Sequence, residues 1–126
     1  MRSMKTVRSI PDINFHLTGK CNMSCQFCFA QFTNEAELKL RESINLVRSL
    51  AGAGIRKINF VGGEPTICPW LSTLISKAKK QGMITSIVTN GWKIDEKWLD
   101  ENSKKLDWIG VSVDSLNPET NLKLGR

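Results

Sequence analysis

The sequence contains no tyrosine, one histidine and four prolines among its 126 residues, and no apolar run near the ~18 residues of a membrane span. Each shortage excludes something. Without tyrosine, and with five scattered phenylalanines, there is no stacking platform for single-stranded nucleic acid, so no direct nucleic-acid binding is expected. His16 has no acid or nucleophile set beside it and is assigned no catalytic role. The lack of a long apolar run excludes a spanning helix, and no membrane partner is expected. The opening "MRSMKTVRSIPDINFHL" is basic but has neither a continuous apolar centre nor a small-residue cleavage site, which excludes a secretory signal. A cytoplasmic location is expected, where thiols stay reduced and clustered cysteines more often bind metal or do chemistry than pair.

What is present describes one folded domain. Apolar content of 40% and charged content of 24% suit a soluble globular chain with a real core, too short for two domains. Eighteen Lys and Arg against twelve Asp and Glu give +6, which favours an anionic partner such as a nucleotide. Much of that charge reads as solvated surface: "KAKKQG" and "ENSKKLD" look like helix ends with lysines near the C-terminal dipole.

Strands and helices alternate. "INFHL" (13–17) reads as a strand. "NEAE" (34–37) reads as a capping box opening a helix whose apolar stripe is Leu40, Ile44, Val47 and Ala51 and which ends near "GAG". "KINFV" (57–61) is a second strand. A helix over 70–81 carries Leu71, Leu74, Ile75 and Ala78 on one side and stops at Gly82. "ITSIVT" (84–89) is a third strand, "NG" a turn, Asp95 the cap of a short helix through Asn102, and "WIGVSVD" (108–114) a fourth strand. Strands linked by single helices predict parallel pairing, hence an α/β sheet or barrel.

Three of these strands alternate, although a parallel strand covered on both faces reads as an unbroken apolar run. Ile13, Phe15 and Leu17 alternate with Asn14 and His16; Ile58 and Phe60 with Lys57 and Asn59; Ile109, Val111 and Val113 with Gly110, Ser112 and Asp114. Period two sends each polar set to one face. Two arrangements satisfy this: a barrel with a polar interior, or a sheet with one face open to water. Trp70, Trp92, Trp98 and Trp108 read as packing residues.

Chemistry points to "LTGKCNMSCQFCFAQF" (17–32), where Cys21, Cys25 and Cys28 are spaced C-x₃-C-x₂-C after the first strand. A structural zinc site wants four ligands, and the fourth here would have to be Cys68 or His16, neither at finger-like spacing. Three thiolates on an iron–sulfur cube leave one iron with an open position, where a ligand can bind and react. Cys68 otherwise reads as a small buried hydrophobe. "VGGEP" ends the second strand, with glycines that allow close backbone approach and acceptors suited to an ammonium group.

The cysteine triplet with Phe27 before its last member resembles the signature of the radical S-adenosylmethionine enzymes, and "GGEP" resembles that family's motif for the methionine amino group. "NFHLTGKCNMSCQFCF", "KINFVGGEP", "SIVTNG" and "VSVDSLNPETNLKLGR" are together similar to the viperin-like nucleotide dehydratases of that family, from Ile13 to Arg126. The resemblance implies the N-terminal part of a partial (βα) TIM-like barrel. It implies a [4Fe–4S] cluster on Cys21, Cys25 and Cys28, and S-adenosylmethionine held by Phe27, Gly62, Gly63, Glu64, Asn90, Ser112 and Arg126. It also implies a ribonucleoside triphosphate near Asn14, Lys57 and Asn59, and an external electron donor such as a flavodoxin or ferredoxin. The implied reaction begins with a 5′-deoxyadenosyl radical taking the ribose 4′ hydrogen. The 3′ hydroxyl then leaves as water, giving a 3′-deoxy-3′,4′-didehydro nucleotide, an antiviral chain terminator.

Two features depart from that pattern. No stretch of these residues reads as the membrane-binding amphipathic helix of animal members, so a soluble cytoplasmic form is expected. The family's barrel also needs about two more strand–helix units, so residues 1–126 are expected to be an N-terminal portion, either a fragment of a longer product or a truncated chain with an unclosed sheet, and poorly soluble or inactive alone because of its open parallel edge. The competing functions are another radical reaction, such as peptide modification or glycyl-radical activation, and a non-enzymatic iron–sulfur or zinc module.

Overall fold

The computed structural model describes residues 12–30 and 36–126. Its strands, β1 (Asp12–His16), β2 (Lys57–Val61), β3 (Ile84–Thr89) and β4 (Trp108–Val111), lie side by side in sequence order, and each neighbouring pair is parallel. Helices α1 (Leu40–Gly52), α2 (Leu71–Lys80) and α3 (Glu96–Asn102) connect them, and α4 (Pro118–Leu124) follows β4. Parallel neighbours need such crossovers, and the expected partial (βα) barrel is the architecture observed.

Local chemistry explains most element ends. Gly82 follows the last turn of α2 at φ +77°, a conformation cheap only for glycine, and Asp95 caps α3 by accepting from the Trp98 N–H at 2.8 Å. The start of α1 differs from expectation. Of the "NEAE" box, Asn34 and Glu35 lie outside the described residues. Glu37 precedes the helix and accepts from the Thr18 hydroxyl. The helix begins instead at Leu40, where the Glu42 carboxyl accepts from the Lys39 N–H at 2.8 Å, because the local acceptor three residues on satisfies an otherwise open donor. Strand β4 also stops sooner than predicted. Val111 is opposite Thr89, the last residue of β3. Beyond the Ser112 N–H, which reaches the Thr89 carbonyl at 2.9 Å, Val113 and Asp114 have no neighbouring strand among the described residues.

The apolar face of the sheet carries Phe15, Leu17, Ile58, Phe60 and Ile87, packed with Val47 of α1 and with Leu71, Leu74, Ile75 and Ala78 of α2. All four predicted α2 positions are buried, whereas Leu40 at the start of α1 remains 38% exposed. The other face is open, with Asn14 and His16 exposed and Lys57 and Asn59 half-buried. The polar face of this partial barrel is thus left uncovered by the described residues. Coverage thins out at β4: Ile109 packs on the core, but Val111 and Val113, expected to pack, are exposed. Trp70 and Trp98 pack as predicted, while Trp92 and Trp108 are exposed, so the packing reading fails for those two.

Asp107 joins α2 to the sheet, taking Lys79 Nζ at 2.7 Å and the Thr85 N–H at 2.8 Å. These bonds, the Lys79 bond foremost, hold its carboxyl below the ordinary value of 3.8. A lowered carboxyl stabilises the fold above its unfolded value and loses that contribution as pH falls through the folded one. In urea unfolding, Asp107→Asn is expected to cost no more than about 1 kcal/mol at neutral pH, since the pair is more than a third exposed. The difference from wild type should vanish well below pH 3.8.

Candidate functional site

The cysteine segment crosses the ends of β1 and β2, and backbone hydrogen bonds hold it there. The Gly63 N–H donates to the Thr18 carbonyl at 2.7 Å and the Glu64 N–H to the Lys20 carbonyl at 2.8 Å. A methyl group built on Gly63 would sit 2.2 Å from the Lys20 oxygen, and one on Gly62 would sit 2.6 Å from the Thr18 oxygen. The close approach expected at these glycines is therefore made by the chain's own residues 18–20.

A second anchor comes from α4, a helix that the sequence reading missed. Its signals are Asn117, whose side chain accepts from the Glu119 N–H at 2.9 Å, Pro118 in the first turn, and Gly125 at φ +88° after the last. The open carbonyls at its C-terminus receive the Ser24 N–H (to Gly125, 2.8 Å) and the Gln26 N–H (to Leu124, 3.0 Å). The Gln26 side chain adds a bond to the Lys123 carbonyl at 3.0 Å. The segment that carries Cys25 is thus clipped to a helix end about a hundred residues further along the chain.

Glu64 is 1% exposed, and its carboxyl is occupied by protein donors. One oxygen accepts from the Thr66 N–H at 3.1 Å and from the hydroxyls of Thr66 and Thr89, the latter at 2.6 Å. The other accepts from the Asn90 N–H at 2.8 Å. Asn90 in turn donates to the Asn22 side chain at 2.8 Å, beside Cys21. This carboxyl therefore ties β2 to β3 and aims Asn90 at the cysteine loop.

Around these anchors lies a cavity of about 350 Å³. Cys21, Cys25, Cys28 and Phe27 form part of its wall; Gly62, Gly63, Glu64 and Asn90 form another, and Ser112 and Arg126 close a third. Every residue expected to hold cluster or cofactor therefore borders one space. The Arg126 guanidinium is fixed by Asp114 and by the Ser112 carbonyl. Burial pushes the Cys25 thiol up, Arg126 opposes this, and Cys28 and Cys21 push it further up.

A cluster on three cysteines fits this donor set. Three thiolates on an iron–sulfur cube would leave one iron without a protein ligand, beside the cavity that Cys21, Cys25 and Cys28 border. The suggested fourth sulfur is elsewhere: Cys68 is 7% exposed within the core, as its small-hydrophobe reading requires.

The three expected substrate residues lie on the open face, and Asn14 also borders the cavity. Cross-strand neighbours Asn14, Asn59 and Ser86 form a directed row. The Ser86 hydroxyl donates to Asn59 Oδ1 at 2.9 Å, and Asn59 Nδ2 donates to Asn14 Oδ1 at 3.0 Å. The direction leaves the Asn14 Nδ2 hydrogens for whatever enters the cavity. Lys57 Nζ sits 4.1 Å from the centre of the Trp108 ring. Ser86 and Trp108 were not predicted; the register of β3 and β4 against Asn59 is what places them there.

Comparison with known proteins agrees with this geometry. The chain is 50% identical over 127 residues to an S-adenosylmethionine-dependent nucleotide dehydratase of Lacinutrix mariniflava, covering 95% of this chain and 27% of that protein. It is 48% identical over 124 residues to a protein of the same name from Flammeovirga pacifica, covering 93% of this chain and 43% of that protein. The chain thus spans less than half the length of these relatives. Among solved structures, Streptococcus suis SuiB bound to precursor peptide SuiA superimposes with a TM-score of 0.76 at 21% identity, over 90% of this chain and 26% of that one, which shows a shared fold. The radical SAM superfamily model matches residues 15–126, and its members use a [4Fe–4S] cluster with S-adenosylmethionine. By its cysteine triplet, its parallel βα core and this match over most of its length, the chain belongs to the radical SAM superfamily.

Proposed function

We propose that this chain is the N-terminal, cofactor-bearing portion of a radical SAM domain that dehydrates a ribonucleoside triphosphate to its 3′-deoxy-3′,4′-didehydro form, an antiviral chain terminator. The observation that carries the reading is the polar row Asn14–Asn59–Ser86, with Lys57 on the same face, running into the cavity bordered by the three cysteines. Relatives named as nucleotide dehydratases at 48–50% identity support it.

In this reading Cys21, Cys25 and Cys28 hold the cluster. Phe27, Gly62, Gly63, Asn90, Ser112 and Arg126 border the cofactor, with Glu64 acting through Asn90 as well as lining the wall. Held by Cys21, Cys25 and Cys28, the reduced cluster with S-adenosylmethionine would supply the radical chemistry needed to activate the ribose 4′ position. The protein's own part is orientation and dryness. Asn14 offers donors to ribose or phosphate oxygens, and Lys57 offers a cation to the triphosphate. Met23, Phe27, Val61 and Val88 on the cavity wall limit the access of water to a reactive intermediate. An external donor such as a flavodoxin or ferredoxin supplies electrons, and the setting is cytoplasmic. Among the described residues no helix is long and apolar enough to cross a membrane.

The test is anaerobic reconstitution of the full-length protein with S-adenosylmethionine, reductant and each ribonucleotide in turn, followed by mass spectrometry. The expected result is loss of one water from a ribonucleoside triphosphate. Formation of 5′-deoxyadenosine with every nucleotide left intact would overturn the dehydratase reading and retain only the class.

A further inference from the structure

We infer that Trp108 is a positioning residue for the anionic end of the substrate, acting through Lys57; this rests on the nucleotide reading above. The two side chains belong to strands that do not touch. Lys57 is on β2 and Trp108 on β4, with β3 between them. In register, Trp108 is opposite Ser86, and Ser86 is opposite Asn59, so the ring ends the polar row while Lys57 lies two residues before Asn59 on the same face. To place Nζ 4.1 Å from the ring centre, the lysine has to reach sideways across β3, along the open face and not away from it.

Asp12, the register partner of Lys57 on β1, would draw the ammonium the other way, but the ion pairs among the described residues are Lys79–Asp107 and Arg126–Asp114. The amine lies instead over the Trp108 ring, which is the partner that holds it. Trp108 meanwhile is 52% exposed, although an indole gains most from burial, and the helices that cover the apolar face are on the other side. An ammonium over an indole is attracted by the ring's electron-rich face but keeps its three donors unspent. A phosphate oxygen can accept from those donors with a stronger, charge-assisted bond. The ring therefore reduces the conformational freedom of a long cationic side chain before binding, without neutralising it. Chemistry of this kind recognises a polyphosphate rather than an uncharged nucleoside.

The experiment is a double-mutant cycle on the full-length, cluster-loaded protein. Calorimetry would titrate inorganic tripolyphosphate, each ribonucleoside triphosphate and the matching nucleosides. Trp108→Leu is expected to weaken tripolyphosphate and triphosphate binding roughly three- to fivefold and to leave nucleoside binding unchanged. Trp108→Phe should restore much of the loss. In a Lys57→Met background Trp108→Leu should have no further effect. Equal losses in both backgrounds, or a silent Trp108→Leu in a protein that binds triphosphates, would overturn this inference and leave the nucleotide reading intact. A wild type that binds tripolyphosphate in a Trp108-dependent way but processes no nucleotide would support the inference while the dehydratase reading fails. A wild type that binds neither probe overturns both. The exposure of Trp108 makes misfolding of these variants avoidable, and unchanged circular dichroism checks it.

Discussion

Gly125→Ala is expected to lower the iron retained after anaerobic reconstitution by at least about tenfold while leaving the sheet and its covering helices folded. Gly125 adopts φ +88°, and a methyl group there would lie 2.1 Å from the Ser24 carbonyl oxygen. The left-handed backbone alone costs a non-glycine residue roughly 1–2 kcal/mol, and tenfold corresponds to about 1.4 kcal/mol. The clash comes on top of this and involves backbone, so no rotamer change relieves it. The joint between α4 and residues 24–26 has to open, which frees the segment carrying Cys25. Because α4 buries no residue completely, its release takes nothing from the core, and far-UV circular dichroism should change little. Gly52→Ala is the control, since nothing lies within 4 Å of a methyl group there. Iron content and charge-transfer absorption at the wild-type level in Gly125→Ala would show that the α4 joint does not organise the cysteines.

Substitution of Glu64 is expected to have the largest effect on stability. Its removal leaves the Thr66 N–H, the hydroxyls of Thr66 and Thr89 and the Asn90 N–H without their acceptor, with Thr66 5% and Thr89 2% exposed. Buried donors left unpaired cost about 1–3 kcal/mol each, so Glu64→Ala should lose on the order of 4 kcal/mol, a large share of the roughly 5–15 kcal/mol of a typical domain. The midpoint of thermal unfolding should fall by roughly 15 °C. Glu64→Gln separates two roles. Its amide oxygen can still serve the threonines, but its NH₂ then faces the Asn90 N–H, donor against donor. We expect a smaller stability loss and a selective weakening of S-adenosylmethionine binding as Asn90 loses its aim. A stability unchanged in both variants would mean that the carboxyl is not the joint between β2 and β3.

How much of this could be read from residue order depended on the range of the forces involved. Strands β1 to β3, the α2 stripe and the Asp95 cap were legible because side-chain period and near-neighbour hydrogen bonds decide them. The α1 start was misplaced because the helix is capped at Lys39, whose N–H donates to Glu42, and a lysine is not a residue type that announces a cap. The end of β4 was misjudged because a strand extends only as far as its neighbour, and β3 ends at Thr89. Clustering of the predicted site residues around one cavity followed from motif resemblance. What stayed hidden were long-range roles. Gly63 reads as room for a ligand but makes room for Lys20; Glu64 reads as a free acceptor but is bonded within the protein; Trp108 reads as packing but holds Lys57. Apart from Thr66, two residues from Glu64, these partners lie far off in sequence, so no local pattern could reveal them.

The bond between the Gln26 side chain and the Lys123 carbonyl spans 97 positions, and this has a consequence for biosynthesis. At roughly 5–20 residues per second on the ribosome, the sulfurs emerge some 5–20 seconds before the helix end that steadies them has been made. Iron–sulfur delivery to the nascent chain would meet an unanchored ribbon, so productive metallation should follow translation of α4 instead of accompanying the appearance of its ligands.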